Sequence, residues 1–244
     1  MSFELERLEQ LRKRIEIVCK RSARSSKDIT ILAAAKYADV TSVNRLIAAG
    51  ISVIGENRVQ DAQKKFPLYL PVQKHFIGTL QSNKVKAAVR LFDSIETIYT
   101  IEIAQKLDLE CVGSARLHLK KMPILVQVNV ANDAKKHGLA ANDVFDFLQK
   151  LESLKNLRID GLMTIVPYFD DLRQSRPFFR KMKTLFDFCR EKYPHLKTLS
   201  MGMSHDFEIA LEEGSTEIRI GSFLFQTHEA PTSTAGRAKL NNLL

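Results

Sequence analysis

Ile29-Thr30-Ile31-Leu32-Ala33-Ala34-Ala35-Lys36 is a short apolar run that ends on a lysine. It is uncharged up to its last residue and β-branched near its start, which reads as a buried strand. Seven further strand-like runs lie near 52–56, 74–79, 92–96, 123–130, 158–166, 198–202 and 217–222. Helical spacing fills the gaps at 40–49, 57–65, 82–90, 99–109, 141–152, 172–192, 203–213 and 229–241. A helix over 3–20 precedes the first strand, with Leu5, Leu8, Leu11, Ile15 and Val18 on one face. Eight strands, each followed by a helix, predict an α/β chain folded as one (β/α)8 barrel with an extra N-terminal helix. The competing doubly wound sheet needs a reversal of strand order, which spacing alone leaves open. No repeat, low-complexity stretch or linker divides residues 1–244, so one domain is expected.

Hydrophobic residues make up 45% of the chain, enough for a large core and too many for a disordered chain. No stretch approaches the roughly 20 apolar residues of a membrane span. The start, Met1-Ser2-Phe3-Glu4-Leu5-Glu6, has no basic lead into an apolar segment, so no secretory signal is expected. Cys19, Cys111 and Cys189 are odd in number and far apart. They argue against a disulfide framework or a zinc site, and for core thiols in a reducing cytosol. The net charge of +9 fits nucleic acid, an anionic membrane or a phosphorylated ligand. Its dense cluster, Lys20 to Lys27, has no interleaved aromatics or nucleic-acid motif and reads as a solvated basic loop. The six histidines show no metal-ligand spacing, and His205-Asp206 reads as a local pair or helix cap. Met122, Met163, Met201 and Met203 read as barrel filling.

Barrels place their chemistry at the carboxyl ends of the strands. Lys36, Glu56, Asn57, Ser200, Ser204, Gly221 and Ser222 all fall at or just after predicted strand ends. A lysine at such an end loses hydration, which lowers an amine's pKa and makes it nucleophilic. Such an amine forms a Schiff base with an aldehyde such as pyridoxal phosphate. Taken alone, Lys36 reads more readily as a lysine reaching out to water. In Leu199-Ser200-Met201-Gly202-Met203-Ser204, Gly202 permits a tight turn and Ser204 reads as a helix N-cap. In Arg219-Ile220-Gly221-Ser222, Gly221 exposes backbone amides and Ser222 adds a hydroxyl. Loops after strands seven and eight commonly hold phosphate in barrels, and no P-loop or dinucleotide fingerprint is present. Arg219, between Ile218 and Ile220, is either an ion-pair partner inside the barrel or a donor to a bound heterocycle. Facing a pyridine nitrogen, a permanently charged arginine keeps that nitrogen unprotonated and weakens the ring as an electron sink. That favours limited chemistry.

These segments resemble the pyridoxal phosphate homeostasis protein family (YggS-like) and the related barrel domain of alanine racemase. The resemblance spans about Ile29 to Phe225 and is carried by Ala35-Lys36, Gly55-Glu56-Asn57-Arg58-Val59-Gln60 and His75-Phe76-Ile77-Gly78-Thr79-Leu80-Gln81-Ser82-Asn83-Lys84. Gln127-Val128-Asn129, Lys136-His137-Gly138, Gly161-Leu162-Met163, Leu199 to Ser204 with Asp206, and Gly214-Ser215-Thr216 through Gly221 follow in family order. The resemblance implies that Lys36 carries pyridoxal phosphate as a Schiff base and that Arg219 faces the pyridine nitrogen. It implies that Ser200 or Ser204, with Gly221 and Ser222, receives the phosphate, and that Asn57 lines the pocket near the ring. His75 and the Gly78–Lys84 segment would shape the pocket mouth, and Lys136 matches a family lysine to which no role is given. The chain departs from the family pattern at Ala35, usually serine, and Tyr37, usually threonine. It departs also at Lys74, usually aromatic, and Gln226, usually glycine. Those departures bear on the edge of the pocket.

The resemblance implies a cytoplasmic, monomeric carrier that shields a reactive aldehyde in vitamin B6 and amino-acid homeostasis, with apo-enzymes as possible acceptors of the cofactor. The alternative is a pyridoxal-phosphate-dependent amino-acid racemase. Racemisation needs a base on each face of the substrate. Racemases take the second base from a tyrosine of an added β-domain, for which the stretch from the eighth strand to Leu244 leaves no room. That and Arg219 favour the carrier. A basic nucleic-acid-binding barrel rests on charge alone.

Overall fold

The computed structural model describes residues 2–112 and 121–225, so the helix expected at 229–241 and the departure at Gln226 lie outside the described residues. Eight strands form a closed barrel in chain order. They are β1 (Thr30–Ala34), β2 (Val53–Glu56), β3 (Gln73–Phe76), β4 (Ser94–Ile98), β5 (Met122–Val128), β6 (Leu157–Thr164), β7 (Thr198–Met203) and β8 (Glu217–Ile220). All pairs are parallel, and β1 closes on β8 with Leu32 opposite Arg219 and Ala33 opposite Ile220. The (β/α)8 expectation is met, and the doubly wound alternative is excluded by closure.

The helices are α1 (Phe3–Arg21), α2 (Val40–Ala48), α3 (Val59–Lys65), α4 (Val85–Leu91), α5 (Ile101–Val112), α6 (Val144–Leu151), α7 (Arg176–Lys192), α8 (Phe207–Glu212) and α9 (Ser222–Phe225). The expected eighth strand ran to Ser222, but the amides of Leu224 and Phe225 bond back to the Gly221 carbonyl and start α9 there. Ser222 therefore leaves the barrel wall. The first strand ends at Ala34, and Lys36 lies in a turn rather than in the strand. Ala35 still donates to the Gly55 carbonyl at 2.9 Å, so the ladder reaches to within one residue of Lys36.

Leu8, Leu11, Ile15 and Val18 of α1 are buried, as their spacing predicts. The helix lies over α8 and α9. Arg14 pairs with Glu208 at 2.8 Å and stacks over the rings of Phe207 and Phe223. The basic stretch after α1 is not simply solvated: Arg21 binds Glu212 at 2.7 Å, and Arg24 donates to the Leu211 and Ser215 carbonyls at 2.7 and 2.6 Å. Arg24 thereby satisfies a carbonyl at the carboxyl end of α8, which lacks a helical partner, and Arg21 pairs with the last side chain of that helix. All three cysteines are buried and unpaired. Met122, Met163 and Met201 are buried, as barrel filling requires, while Met203 is half-buried.

The barrel interior is strongly polar. Glu96, Thr164, Ser200, Glu217 and Arg219 are all buried on the strands. Buried charge is costly unless it is paired, so these groups have to answer one another.

Candidate functional site

Gly202 has φ +95°, a left-handed conformation that glycine adopts freely, and a Cβ there would lie 2.5 Å from the Ala210 Cβ. This turn carries the chain from β7 to Ser204 and tucks α8 against the strand end. Ser204 is not the N-cap of α8. That position falls to Asp206, whose Oδ1 accepts from the Met203 amide at 2.7 Å. The Ser204 Oγ instead accepts from two amides of the neighbouring strand end, Gly221 and Phe223, each at 3.2 Å. One side chain and two amides thus converge beside β8. Ser222 lies between those amides and is exposed.

Gly221 is also the point where β8 meets the Lys36 turn. A Cβ at Gly221 would lie 3.2 Å from the Ala34 carbonyl oxygen and 3.5 Å from the Ala34 Cβ. The turn bearing Lys36 begins two residues later. Lys36 is half-buried, and its Nζ stands 4.8 Å from the ring centroid of the exposed Tyr37. The tyrosine that departs from the family pattern therefore supports the amine from outside and does not plug the barrel.

The turn is held from beneath by a residue that the sequence did not single out. Lys65, at the end of α3, donates to the Ala35 carbonyl at 2.8 Å and the Lys36 carbonyl at 3.4 Å, and pairs with Glu56 at 3.0 Å. Burial pushes Glu56 above the usual carboxylate range against the pull of Lys65. Its Oε2 has no hydrogen-bond partner. Nothing in the pattern Gln63-Lys64-Lys65 marks the last lysine as different from the one before it.

Asn57 follows β2 and is half-buried, with its side-chain oxygen buried and without a hydrogen-bond partner among the described residues. With Arg58, Phe76, Thr79, Gln81 and Lys84 it lines a cavity of about 440 Å³ beside the strand ends. Gly78 makes that wall possible, because a Cβ there would lie 2.2 Å from the Asn57 carbonyl oxygen.

Arg219 is buried inside the barrel. It donates through Nη1 to Ser200 Oγ and through Nη2 to the Thr164 carbonyl, both at 2.7 Å. Two bonds leave other N–H groups of the five-donor fork available to a further acceptor. Ser200 is fully buried and also bonds Glu96 Oε2 at 3.2 Å. Ser200 and Ser204 thus have different environments: Ser200 braces Arg219 inside the barrel, and Ser204 joins the amides at the rim.

His75 lies away from that rim. Its Nδ1 is 2.6 Å from Glu96 Oε1, and it faces a cavity lined by Gln73, Asp93, Ser94, Arg158, Thr198 and Glu217, all at or near the starts of strands. That is the amino-end mouth, opposite the one expected for it. Burial alone would lower the His75 pKa, but the bond and charge of Glu96 outweigh it and raise it. Glu96 is held below its usual range by His75 and Arg219 despite complete burial. Lys136 donates to the Val166 carbonyl at 2.6 Å, and burial lowers its pKa. His205 stacks on Tyr168 and bonds the Phe169 carbonyl, the local pairing its surroundings allow.

The family described as alanine racemase, N-terminal domain, matches residues 7–229. A pyridoxal phosphate homeostasis protein of Aquifex aeolicus is 36% identical over 226 residues, covering 90% of this chain and 96% of that protein. Its namesake in Escherichia coli strain K12 is 34% identical, covering 89% and 94%. The chain belongs to the pyridoxal phosphate homeostasis protein family. The solved structure of PipY from Synechococcus elongatus with pyridoxal phosphate bound is 30% identical, with TM-score 0.77 and coverage of 92% of this chain and 100% of that one. An alanine racemase of Clostridium difficile 630 aligns at TM-score 0.68 but 14% identity, with 60% of its own length covered, and shares the fold.

Proposed function

We propose that this chain binds pyridoxal 5'-phosphate covalently through the Lys36 amine and serves as a carrier in vitamin B6 and amino-acid homeostasis, without robust catalysis of its own. The reading is supported most by one juxtaposition: Gly221, with its amide on Ser204, packs against Ala34 just before the Lys36 turn. An amine and a phosphate cradle on adjacent strand ends suit a ligand that carries an aldehyde and a phosphate on one small ring. The cradle consists of Ser204 and the Gly221 and Phe223 amides, with Ser222 at its edge. Asn57, whose buried oxygen lacks a partner, lines the ring's side. The cofactor, when bound, supplies an aldehyde that condenses with amines and a ring that withdraws electrons.

The residues then divide the work. Lys65 fixes the carbonyls of the Lys36 turn and so the direction of its amine. Arg219 offers a permanent charge to the ring nitrogen, braced by Ser200, Thr164 and the nearby Glu96. That nitrogen stays unprotonated, which restrains carbanion chemistry and suits a carrier more than a racemase. We propose further that the chain acts as a cytoplasmic monomer and that apo-enzymes receive the cofactor from it. Among the described residues no helix is long and apolar enough to cross a membrane.

The test is a visible absorbance titration with pyridoxal phosphate, wild type beside Lys36→Ala, followed by borohydride trapping. A saturable visible band and a trapped adduct in the wild type alone support attachment at Lys36. An unchanged adduct in Lys36→Ala removes Lys36 from the role, and no band in either protein removes the cofactor. Solvent-deuterium exchange at the α-carbon of alanine, measured on the loaded protein, separates carrier from racemase.

A further inference from the structure

The polar cluster at the amino-end mouth meets the proposed cofactor site only behind Arg219, through Ser200 and Glu96. His75, Glu96 and Glu217 each present a ligating atom there, and these atoms lie within 4.8 Å of one another. They come from β3, β4 and β8, so the closed barrel alone brings them together. Both carboxylates are buried, Glu217 being 4% exposed. Among the described residues, its Oε1 has no hydrogen-bond partner. A buried, unpaired carboxylate oxygen costs free energy, and two carboxylates side by side cost more. Arg219 offsets part of that charge but gives its hydrogen bonds to Ser200 and Thr164.

We propose that His75, Glu96 and Glu217 form a binding site for a divalent cation of the Zn²⁺ or Mn²⁺ class. One imidazole and two carboxylates suit these borderline cations better than the oxygen-only Ca²⁺ and Mg²⁺. Three protein ligands leave a position open, and the adjoining cavity, about 140 Å³, has room for water to fill it. Entry is through that cavity, whose wall carries Asp93 and the Arg158–Asp160 ion pair. Supporting contacts are in place: the Ser200 hydroxyl holds the second oxygen of Glu96 at 3.2 Å. Histidine spacing along the sequence gave no hint of this site, because its ligands are single residues from three strands.

The experiment uses the full chain stripped with EDTA. Zn²⁺ and Mn²⁺ are titrated separately, by calorimetry for the first and water-proton relaxation for the second. Wild type is compared with Glu217→Gln, His75→Gln and Lys36→Ala. The proposal expects one equivalent of at least one cation per chain, at least tenfold weaker binding in the first two variants, and unchanged binding in Lys36→Ala. It expects the melting temperature to rise with the bound cation in wild type and not in Glu217→Gln. No stoichiometric binding of either cation by wild type overturns it. Binding retained in both Glu217→Gln and His75→Gln also overturns it, and assigns the metal to adventitious surface groups. Melting curves without metal confirm that each variant is folded, and Glu217→Gln keeps the shape of the side chain.

Discussion

Two serines four positions apart do different things, and a phosphate-free ligand tells them apart. Ser204→Ala removes the oxygen that gathers the Gly221 and Phe223 amides. It should weaken pyridoxal phosphate binding by roughly threefold to tenfold, the usual net worth of a hydrogen-bonded contact, while leaving pyridoxal binding unchanged. Ser200→Ala should affect the two ligands alike, because its hydroxyl bonds Arg219 and Glu96 inside the barrel. Equal losses for both ligands in Ser204→Ala would place the phosphate elsewhere. Lys65 makes a harsher prediction. Lys65→Met strips the buried Glu56 of its cation, and breaking a buried pair of this kind costs about 3 kcal/mol or more. Urea unfolding should show that loss in Lys65→Met and a partial recovery in the double variant with Glu56→Gln. Sequence pointed to Arg219 because a charge interrupts an apolar strand. The same sign was present at Glu96 in Ser94-Ile95-Glu96-Thr97-Ile98 and at Glu217, and was not followed. Lys65 had no such sign, since a lysine at a helix end is ordinary and its partners come from the Lys36 turn and from β2.

The strands could be read because buried parallel strands are near-continuous apolar runs, and their order followed from alternation with helices. Their ends were less legible. The strand at 29–36 stops at Ala34 because the chain turns over Lys36, and the strand at 217–222 stops at Ile220 because Gly221 starts a helix. Both ends depend on neighbouring strands rather than on local pattern. The helix after the Lys36 turn, α2, is a case where local chemistry decides. Asp39 caps it, with Oδ1 accepting from the Ser42 amide at 2.9 Å, and that bond holds the Asp39 carboxyl below its ordinary range. Asp39→Ala should cost about 1 kcal/mol at neutral pH, a typical loss for a cap exposed to solvent. The folded pKa lies below the unfolded one, so the cap's contribution is present above the model-peptide value of 3.8 and disappears as pH falls below it. Chemical denaturation of both proteins from pH 7 to pH 3 should show the gap narrowing toward the acid end. A gap that widens there is incompatible with a charged cap.

Across the molecule, α1 joins the outer helices to the site. Ile15, 3% exposed, lies on the face that packs toward the barrel, and Arg14 reaches Phe223 in α9, which carries one of the cradle amides. Ile15→Ala should cost about 2–4 kcal/mol by leaving a cavity. Arg14→Ala should change stability little, because its ion pair is exposed, and should still weaken pyridoxal phosphate binding measurably. Denaturant midpoints and the absorbance titration read the two effects separately. The closure of β1 on β8 has one more consequence. The residues that would grip the cofactor's two ends, Lys36 and the Gly221 turn, lie nearly a whole chain apart in sequence. Contacts of such separation form slowly, because the intervening chain must first surrender its freedom. During refolding, visible absorbance should therefore lag behind helix formation, and a saturating ligand should slow the reopening of the seam more than it speeds the closing. In this protein a yellow colour would time the final step of folding.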